Sequence, residues 1–104
     1  MATPKKTDGT AQPTFSVPAT PKVSIGRMTD GTAFGGEVEI VQEALALIGY
    51  LGGENVSGTF DSDTIGAYRA LQEHLGFGMA ADGVPEAHSL TWLGLRTGLF
   101  LTEA

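Results

Sequence analysis

Two copies of a glycine turn that leads into a helix constrain the fold most. Ser57-Gly-Thr-Phe-Asp-Ser-Asp-Thr64 aligns with Asp82-Gly-Val-Pro-Glu-Ala-His-Ser89, at an offset of 25 residues. In each copy the glycine permits a positive φ, and an apolar residue or proline follows two positions later. The hydroxyl residue at the end falls in the first helical turn, where free backbone groups need partners. The repeat therefore predicts two short helices with equivalent starts.

Apolar spacing predicts a third helix ahead of these two, and glycine follows the end of each one. The predicted helices run from Glu37 to Ile48, from about Asp61 to Leu75, and from Pro85 or Glu86 to Thr97. Their inward faces are Val38, Val41, Leu45 and Ile48; Ile65, Tyr68, Leu71, Gln72 and Leu75; and Leu90, Leu93 and Thr97. Asp61 or Ser62 is the expected N-cap of the second helix. The fold class predicted is all-α, a small three-helix bundle.

Residues 1–36 differ from the rest in composition, because prolines, threonines and glycines replace the helical pattern. They predict an extended N-terminal arm without its own core. The domain then covers residues 37–98, and an apolar tail covers residues 99–104. Lys5, Lys6, Lys22 and Arg27 make the arm basic, whereas residues 28–104 hold eleven carboxylates and two arginines.

Two segments are predicted to make assembly contacts. Lys22-Val-Ser-Ile-Gly-Arg27 alternates polar and apolar residues, so it is expected to add as an edge strand or to lie extended on a partner. Leu99-Phe100-Leu101 is expected either to fold back on the bundle or to enter a neighbouring subunit. The contact residues predicted are Lys22, Val23, Ile25, Arg27, Leu99, Phe100 and Leu101.

Residues 37–94 resemble the peptidoglycan-binding domains found beside amidases, muramidases and other wall hydrolases. The matching positions are Val41-Gln42, Gly49-Tyr50, Ser57 to Asp61, Thr64, Ala67, Tyr68, Leu71-Gln72, Gly76-Phe77, Asp82-Gly83, Ser89 and Leu93. Ser57 departs from the family's aspartate, Asp61 and Glu86 from glycines, and Leu71 from an aromatic residue. The resemblance implies a three-helix, wall-binding module without catalysis.

The sequence offers little for catalysis or for holding a metal. It has no cysteine, no phosphate loop and no Gly-x-Ser-x-Gly motif. His74 and His88 fit no standard zinc spacing, and the paired carboxylates Asp61 and Asp63 are explained as helix-start charges. The expectation is a protein that is not an enzyme and has neither cofactor nor metal.

Three aromatic residues are the candidates for ligand contact: Tyr50, Tyr68 and Trp92. Aromatic rings combine apolar area with a polar group, although in a small core they serve packing more often. Gln72 has a structural interpretation instead. A glutamine on an inward helix face is expected to bond loop backbone groups that would otherwise be buried unpaired.

Two functional hypotheses follow. The first is a non-catalytic module that attaches a particle or partner to bacterial peptidoglycan. The second is a bacteriophage virion structural protein, a capsid decoration or tail accessory subunit, which reuses this fold and assembles through its arm. The expected partner is thus peptidoglycan or a capsid or tail protein. The chain is expected to be oligomeric or embedded in an assembly. Its expected location is a virion or the bacterial cell wall. The acidic domain argues against nucleic acid, no apolar run is long enough for a membrane span, and no secretory signal is recognisable at Met1.

Overall fold

The structure, a computed structural model, describes residues 19–104. These form strand β1 (Lys22–Ser24), helices α1 (Ile25–Asp30), α2 (Gly35–Leu47), α3 (Ser62–His74) and α4 (Ala87–Thr97), and strand β2 (Leu101–Glu103). One-turn 3₁₀ helices lie at Gly53–Asn55 and Gly78–Ala80. The mostly helical architecture confirms the predicted fold class, and α2, α3 and α4 are the three expected helices. None of the helices in this part of the chain has the length and apolar character needed to cross a membrane.

Local capping explains where the helices begin and end. The Asp61 carboxylate accepts a hydrogen bond from the Thr64 backbone N–H at 3.2 Å, which confirms Asp61 as an N-cap. Gly98 ends α4 in the left-handed region, with φ of 71°. The expectation that Pro85 or Glu86 begins α4 is wrong. Glu86 is the N-cap and its carboxylate accepts from backbone N–H groups of the first turn, so Pro85 lies before the helix.

The core lies between α2, α3 and α4. Its fully buried apolar side chains are Val23, Val41, Ala44, Leu45, Tyr68, Leu71, Leu90, Leu93 and Phe100. Ile65 was expected inside but is 43% exposed. Its Cγ2 lies beside the second glycine turn, 2.6 Å from where a Cβ on Gly83 would stand, and not among the core side chains. The inward face of α3 begins instead with the neighbouring Thr64, which is fully buried, and continues with Ala67 and Tyr68.

Residues 22–34 belong to the domain, so the predicted arm boundary at residue 36 is too late. β1 pairs in parallel with β2, in the register Lys22 to Leu101, Val23 to Thr102 and Ser24 to Glu103. The side chain of Ser24 caps α1, which buries Met28 against the core. Only Lys22–Ser24 of the alternating segment forms an edge strand, whose partner is the chain's own C-terminal tail, and Ile25–Arg27 is the start of α1. Residues 1–18, the rest of the predicted arm, lie outside the described residues.

The C-terminal tail folds back on the bundle. Phe100 is fully buried and packs so closely against Gly94 of α4 that a side chain at position 94 would overlap it. Val23 and Phe100 therefore have no surface to offer another subunit, which corrects their assignment as assembly contacts. Lys22 and Leu101 are exposed, and Ile25, Arg27 and Leu99 are half-buried. For these five the assembly role stays a prediction.

Replacing Gly94 by alanine is expected to destabilise the domain by about 1–3 kcal/mol, because the new methyl group would overlap Phe100. Gly66→Ala is the matched control. It adds the same methyl group to the neighbouring helix, where no atom lies within 4 Å, and should stabilise by about 0.5–1 kcal/mol. Urea unfolding followed by circular dichroism measures both. Equal effects of the two substitutions would contradict the packing of the tail on α4.

Candidate functional site

Gln72 holds the second glycine turn. Its side chain is fully buried and points from α3 toward residues 83 and 84. Its Nε2 donates to the Val84 carbonyl at 2.8 Å, and its Oε1 accepts from the Gly83 N–H at 2.8 Å. This confirms the predicted structural role of Gln72, because two backbone groups next to a helix are paired by one amide.

Gln42 does the same for the first turn, a role that the sequence analysis did not predict. It is fully buried on α2. Its Oε1 accepts from the N–H groups of Ser57 at 2.8 Å and Gly58 at 2.9 Å. Its Nε2 donates to the Thr59 carbonyl and the Thr64 hydroxyl, both at 2.9 Å. The signal was available, since Gln42 directly follows Val41 on the inward face and the first turn has the same need as the second.

Glu37 ties α1 and β1 to α2. Its carboxylate accepts from Arg27 Nη2 at 2.9 Å and Nε at 3.1 Å, and from the backbone N–H groups of Ser24 and Phe34, both at 3.0 Å. The hydrogen bonds from the Arg27 side chain are the first cause that lowers the pKa of Glu37 to about 2. The guanidinium also lies over the Phe34 ring, 4.8 Å from its centroid. One charged side chain thus fixes the N-terminal segment.

The two turns and α1 enclose an open groove with a volume of ≈ 520 Å³. Its walls are mainly apolar, which is typical of small-molecule sites. The apolar lining consists of Met28, Ala33, Val38, Phe60, Ile65, Val84 and Pro85, and the polar side chains in it are Thr29, Thr59 and Asp82. Ile65 and Val84 are 43% and 44% exposed. The apolar side chains therefore form a concave surface to which core residues such as Met28 and Val38 contribute, and at which Ile65 and Val84 stay exposed.

Backbone geometry sets the shape of this groove. Gly83 has φ of +81°, and a Cβ there would stand 2.6 Å from Ile65 Cγ2. The turn therefore lies directly on α3. On the opposite side, the Thr29 hydroxyl donates to the Pro85 carbonyl at 2.8 Å and joins α1 to the second turn. The groove has fixed walls on both sides.

Of the three predicted ligand contacts, Tyr68 is excluded. It is fully buried, its hydroxyl is hydrogen-bonded to Ser89, and burial raises its pKa well above the ordinary range. The reason is its place on the inward face of α3, which the helical spacing itself indicated. Its ring lies behind Phe60, with centroids 6.1 Å apart, so Tyr68 supports a groove wall without reaching a ligand.

Tyr50 and Trp92 come together on either side of His74. The ring centroids are 6.4 Å apart for Tyr50 and His74, and 6.2 Å for His74 and Trp92. Tyr50 and Trp92 are half-buried and His74 is exposed. This aromatic cluster lies at the C-terminal end of α3, while Ile65 of the groove lies near its N-terminal end. A helical rise of about 1.5 Å per residue separates the two by roughly 13 Å.

The described residues offer binding chemistry more than proton transfer. Asp61 and Glu86 are used as helix caps, and Glu37 is paired with Arg27. Among residues 19–104 no group of three metal-ligating side chains comes together, with His74 and His88 both exposed. What remains is a shaped, largely apolar groove and an aromatic cluster.

The family model described as "Putative peptidoglycan binding domain" matches residues 34–93, more than half of the chain. The chain belongs to this family. The assignment confirms the resemblance drawn from the glycine turns, and it indicates peptidoglycan as partner and the cell wall as location. No curated protein and no solved structure matches the chain.

The matched segment contains α2, α3, the first part of α4 and both glycine turns, but not the whole groove. Met28, Thr29, Gly31 and Ala33 line the groove and precede residue 34. This peptidoglycan-binding domain therefore completes its groove with a helix from outside the family segment. The sequence analysis missed α1, although Ser24 before it and Gly31 after it are ordinary cap residues.

Glu37→Gln is expected to destabilise the domain by about 2 kcal/mol at neutral pH, because charge-assisted hydrogen bonds are lost. The folded pKa of about 2 lies below the ordinary 4.5. The stabilisation is therefore present above pH 4.5 and is lost as the pH falls toward 2. When the free energy of unfolding is measured between pH 7 and pH 2, it should fall less steeply toward acid pH for the variant than for the parent protein. The same pH dependence of the free energy of unfolding in both proteins would refute the role of this carboxylate.

Gln42→Leu is expected to cost about 3–5 kcal/mol and Gln72→Leu about 2–4 kcal/mol, because each leaves buried turn groups unpaired. The loss is expected to be larger for Gln42→Leu because Gln42 forms hydrogen bonds with more partners than Gln72 does. Glu73→Gln, an exposed change next to Gln72, should leave the free energy of unfolding within about 0.5 kcal/mol of the parent value. Chemical denaturation tests the series, and a smaller loss for Gln42→Leu than for Gln72→Leu would contradict the hydrogen-bond count.

Proposed function

We propose that this domain attaches its chain, and whatever that chain carries, to peptidoglycan through the groove between its two glycine turns. The groove carries the proposal: it is the apolar concavity of ≈ 520 Å³ built by both turns of the family segment. When a ligand covers the exposed apolar side chains of the groove, their burial stabilises the complex by about 25 cal/mol per Å² of apolar surface removed from water. The domain acts as a binding module, and no chemistry is proposed for it.

The polymer suits such a surface. Peptidoglycan combines amino sugars, whose acetyl and lactyl groups carry methyls, with short peptides rich in alanine. These methyl groups match the walls formed by Phe60, Ile65 and Val84. The turns are held by buried glutamines, so little conformational entropy is lost when a ligand enters.

Val84→Asn tests the groove, because Val84 lies in its lining and is 44% exposed, so the substitution has little effect on the core. Loss of its apolar contact is worth about 1.5 kcal/mol, or roughly tenfold in affinity. Sedimentation of the purified protein with insoluble peptidoglycan sacculi measures this. Leu95→Asn is the matched control, since Leu95 is 69% exposed on α4 and lies outside the groove. Equal retention of both variants would exclude the groove as the wall contact.

The aromatic cluster is proposed as a second wall contact, which carries forward the prediction for Tyr50 and Trp92. Its support is the arrangement of two half-buried rings around an exposed His74. Aromatic faces stack on apolar faces of sugars. In the same sedimentation assay, Trp92→Ala should weaken retention while its unfolding curve shows that the domain stays folded. Retention unchanged in a folded Trp92→Ala protein removes the cluster from the contact.

The virion hypothesis stands as the alternative. Part of its argument was an arm that reaches to residue 36, and residues 22–34 instead fold into the domain. The hypothesis now rests on the composition of residues 1–18 and on the five residues whose assembly role stays a prediction: Lys22, Ile25, Arg27, Leu99 and Leu101. Attachment to peptidoglycan has the more direct support, because the family assignment and the groove point to the same partner.

A further inference from the structure

The edge of the groove is acidic, while its walls are apolar. Asp82 lies in the lining, where one carboxylate oxygen accepts from the Val84 N–H at 2.9 Å. Asp30 lies on α1 between two residues that line the groove. Glu39 of α2 lies beside the first turn, with its Cγ 3.5 Å from where a Cβ on Gly58, a lining residue, would stand. One carboxylate in the lining and a second beside it thus give the apolar concavity an acidic edge.

Within residues 19–104, no cation of the lining lies beside Asp82, whereas Asp30 interacts electrostatically with Arg27 of the same helix. The groove is lined by no lysine, arginine or histidine among the described residues. Arg27, on the same helix as Asp30, uses its Nε and Nη2 on Glu37. Hydrogen bonds from Thr32 hold the pKa of Asp30 below its ordinary value, so that group is charged at neutral pH. The groove consequently has a negative electrostatic potential.

We propose that the groove binds the diamino-acid side chain of a peptidoglycan stem peptide, with its methylenes on the apolar walls and its ammonium at the acidic edge. This inference rests on the proposed function and names the part of the polymer that is recognised. A side chain of this type has an apolar stem and a charged head, the same combination that the groove complements. An ammonium donates three hydrogen bonds, and carboxylates are its strongest acceptors in proteins.

Other wall components fit this groove less well. Anionic polymers of the wall, such as those linked by phosphates, meet like charge and are repelled. An uncharged glycan strand donates hydroxyl hydrogen bonds to carboxylates but brings no positive charge to them. Asp30 and the α1 lining residues also precede the family segment. Asp82, by contrast, lies in the second turn of the family segment, so α1 adds apolar lining and one nearby carboxylate to a charge that the turn itself carries.

Two synthetic stem tetrapeptides test the proposal, one with a free lysine side chain and one acetylated at that lysine's Nζ. Binding to the full chain is followed by NMR shifts of the Val84 and Ile65 methyl groups. The free amine is expected to bind about 2- to 5-fold tighter at low salt, the size of a solvent-exposed ion pair, and salt should reduce the difference. Asp82→Asn keeps the acceptor for the Val84 N–H and should remove most of the difference. Glu43→Gln, an exposed change on α2 outside the groove, should keep it.

The outcomes separate this inference from the proposed function. Equal affinity for the two peptides overturns the inference, and if sacculi still sediment the protein in a Val84-dependent way, attachment to the wall stands. Binding of peptide-free glycan strands in preference to both peptides also overturns it and identifies a sugar as occupant. Failure to bind sacculi at all overturns both proposals together.

Discussion

The buried amides of Gln42 and Gln72 are the contacts on which the rest of the site depends. Neither side chain exposes any surface, so each amide must find its partners within the protein. Each finds them in the backbone of a glycine turn, and each turn is thereby joined to a neighbouring helix. The part of the groove lining that belongs to the two glycine turns is thereby held in shape by helices. A binding surface that is already in place loses less entropy when the ligand arrives.

The helices and one of these amides could be predicted from the sequence. Apolar spacing of three and four residues indicated α2, α3 and α4, because burial on one face dominates the choice of helical segments. Asp61 was identifiable as a cap, since a carboxylate at that place satisfies a free N–H. Gln72 was predictable because a polar group on an inward face must be paired. The same argument applied to Gln42 and would have predicted the first turn as well.

The N-terminal wall could not be predicted from local pattern. α1 has six residues, and its place depends on Glu37, ten positions after Arg27 in the chain. β1 depends on a strand that lies near the other end of the sequence. Burial also decided the place of two side chains that the helical spacing had both put on the inward face. Tyr68 is enclosed by the core, whereas Ile65, on the same helix, lies at the groove because the second turn rests on it.

The parallel pairing of β1 with β2 has a mechanical consequence. In a parallel pair, the polypeptide that precedes Lys22 and the end of β2 at Glu103 lie at opposite ends of the strands. Tension applied between them would act along the strands and load their hydrogen bonds in shear, all at once, instead of unzipping them one after another. Resistance to such tension is governed by the unfolding rate, not by equilibrium stability.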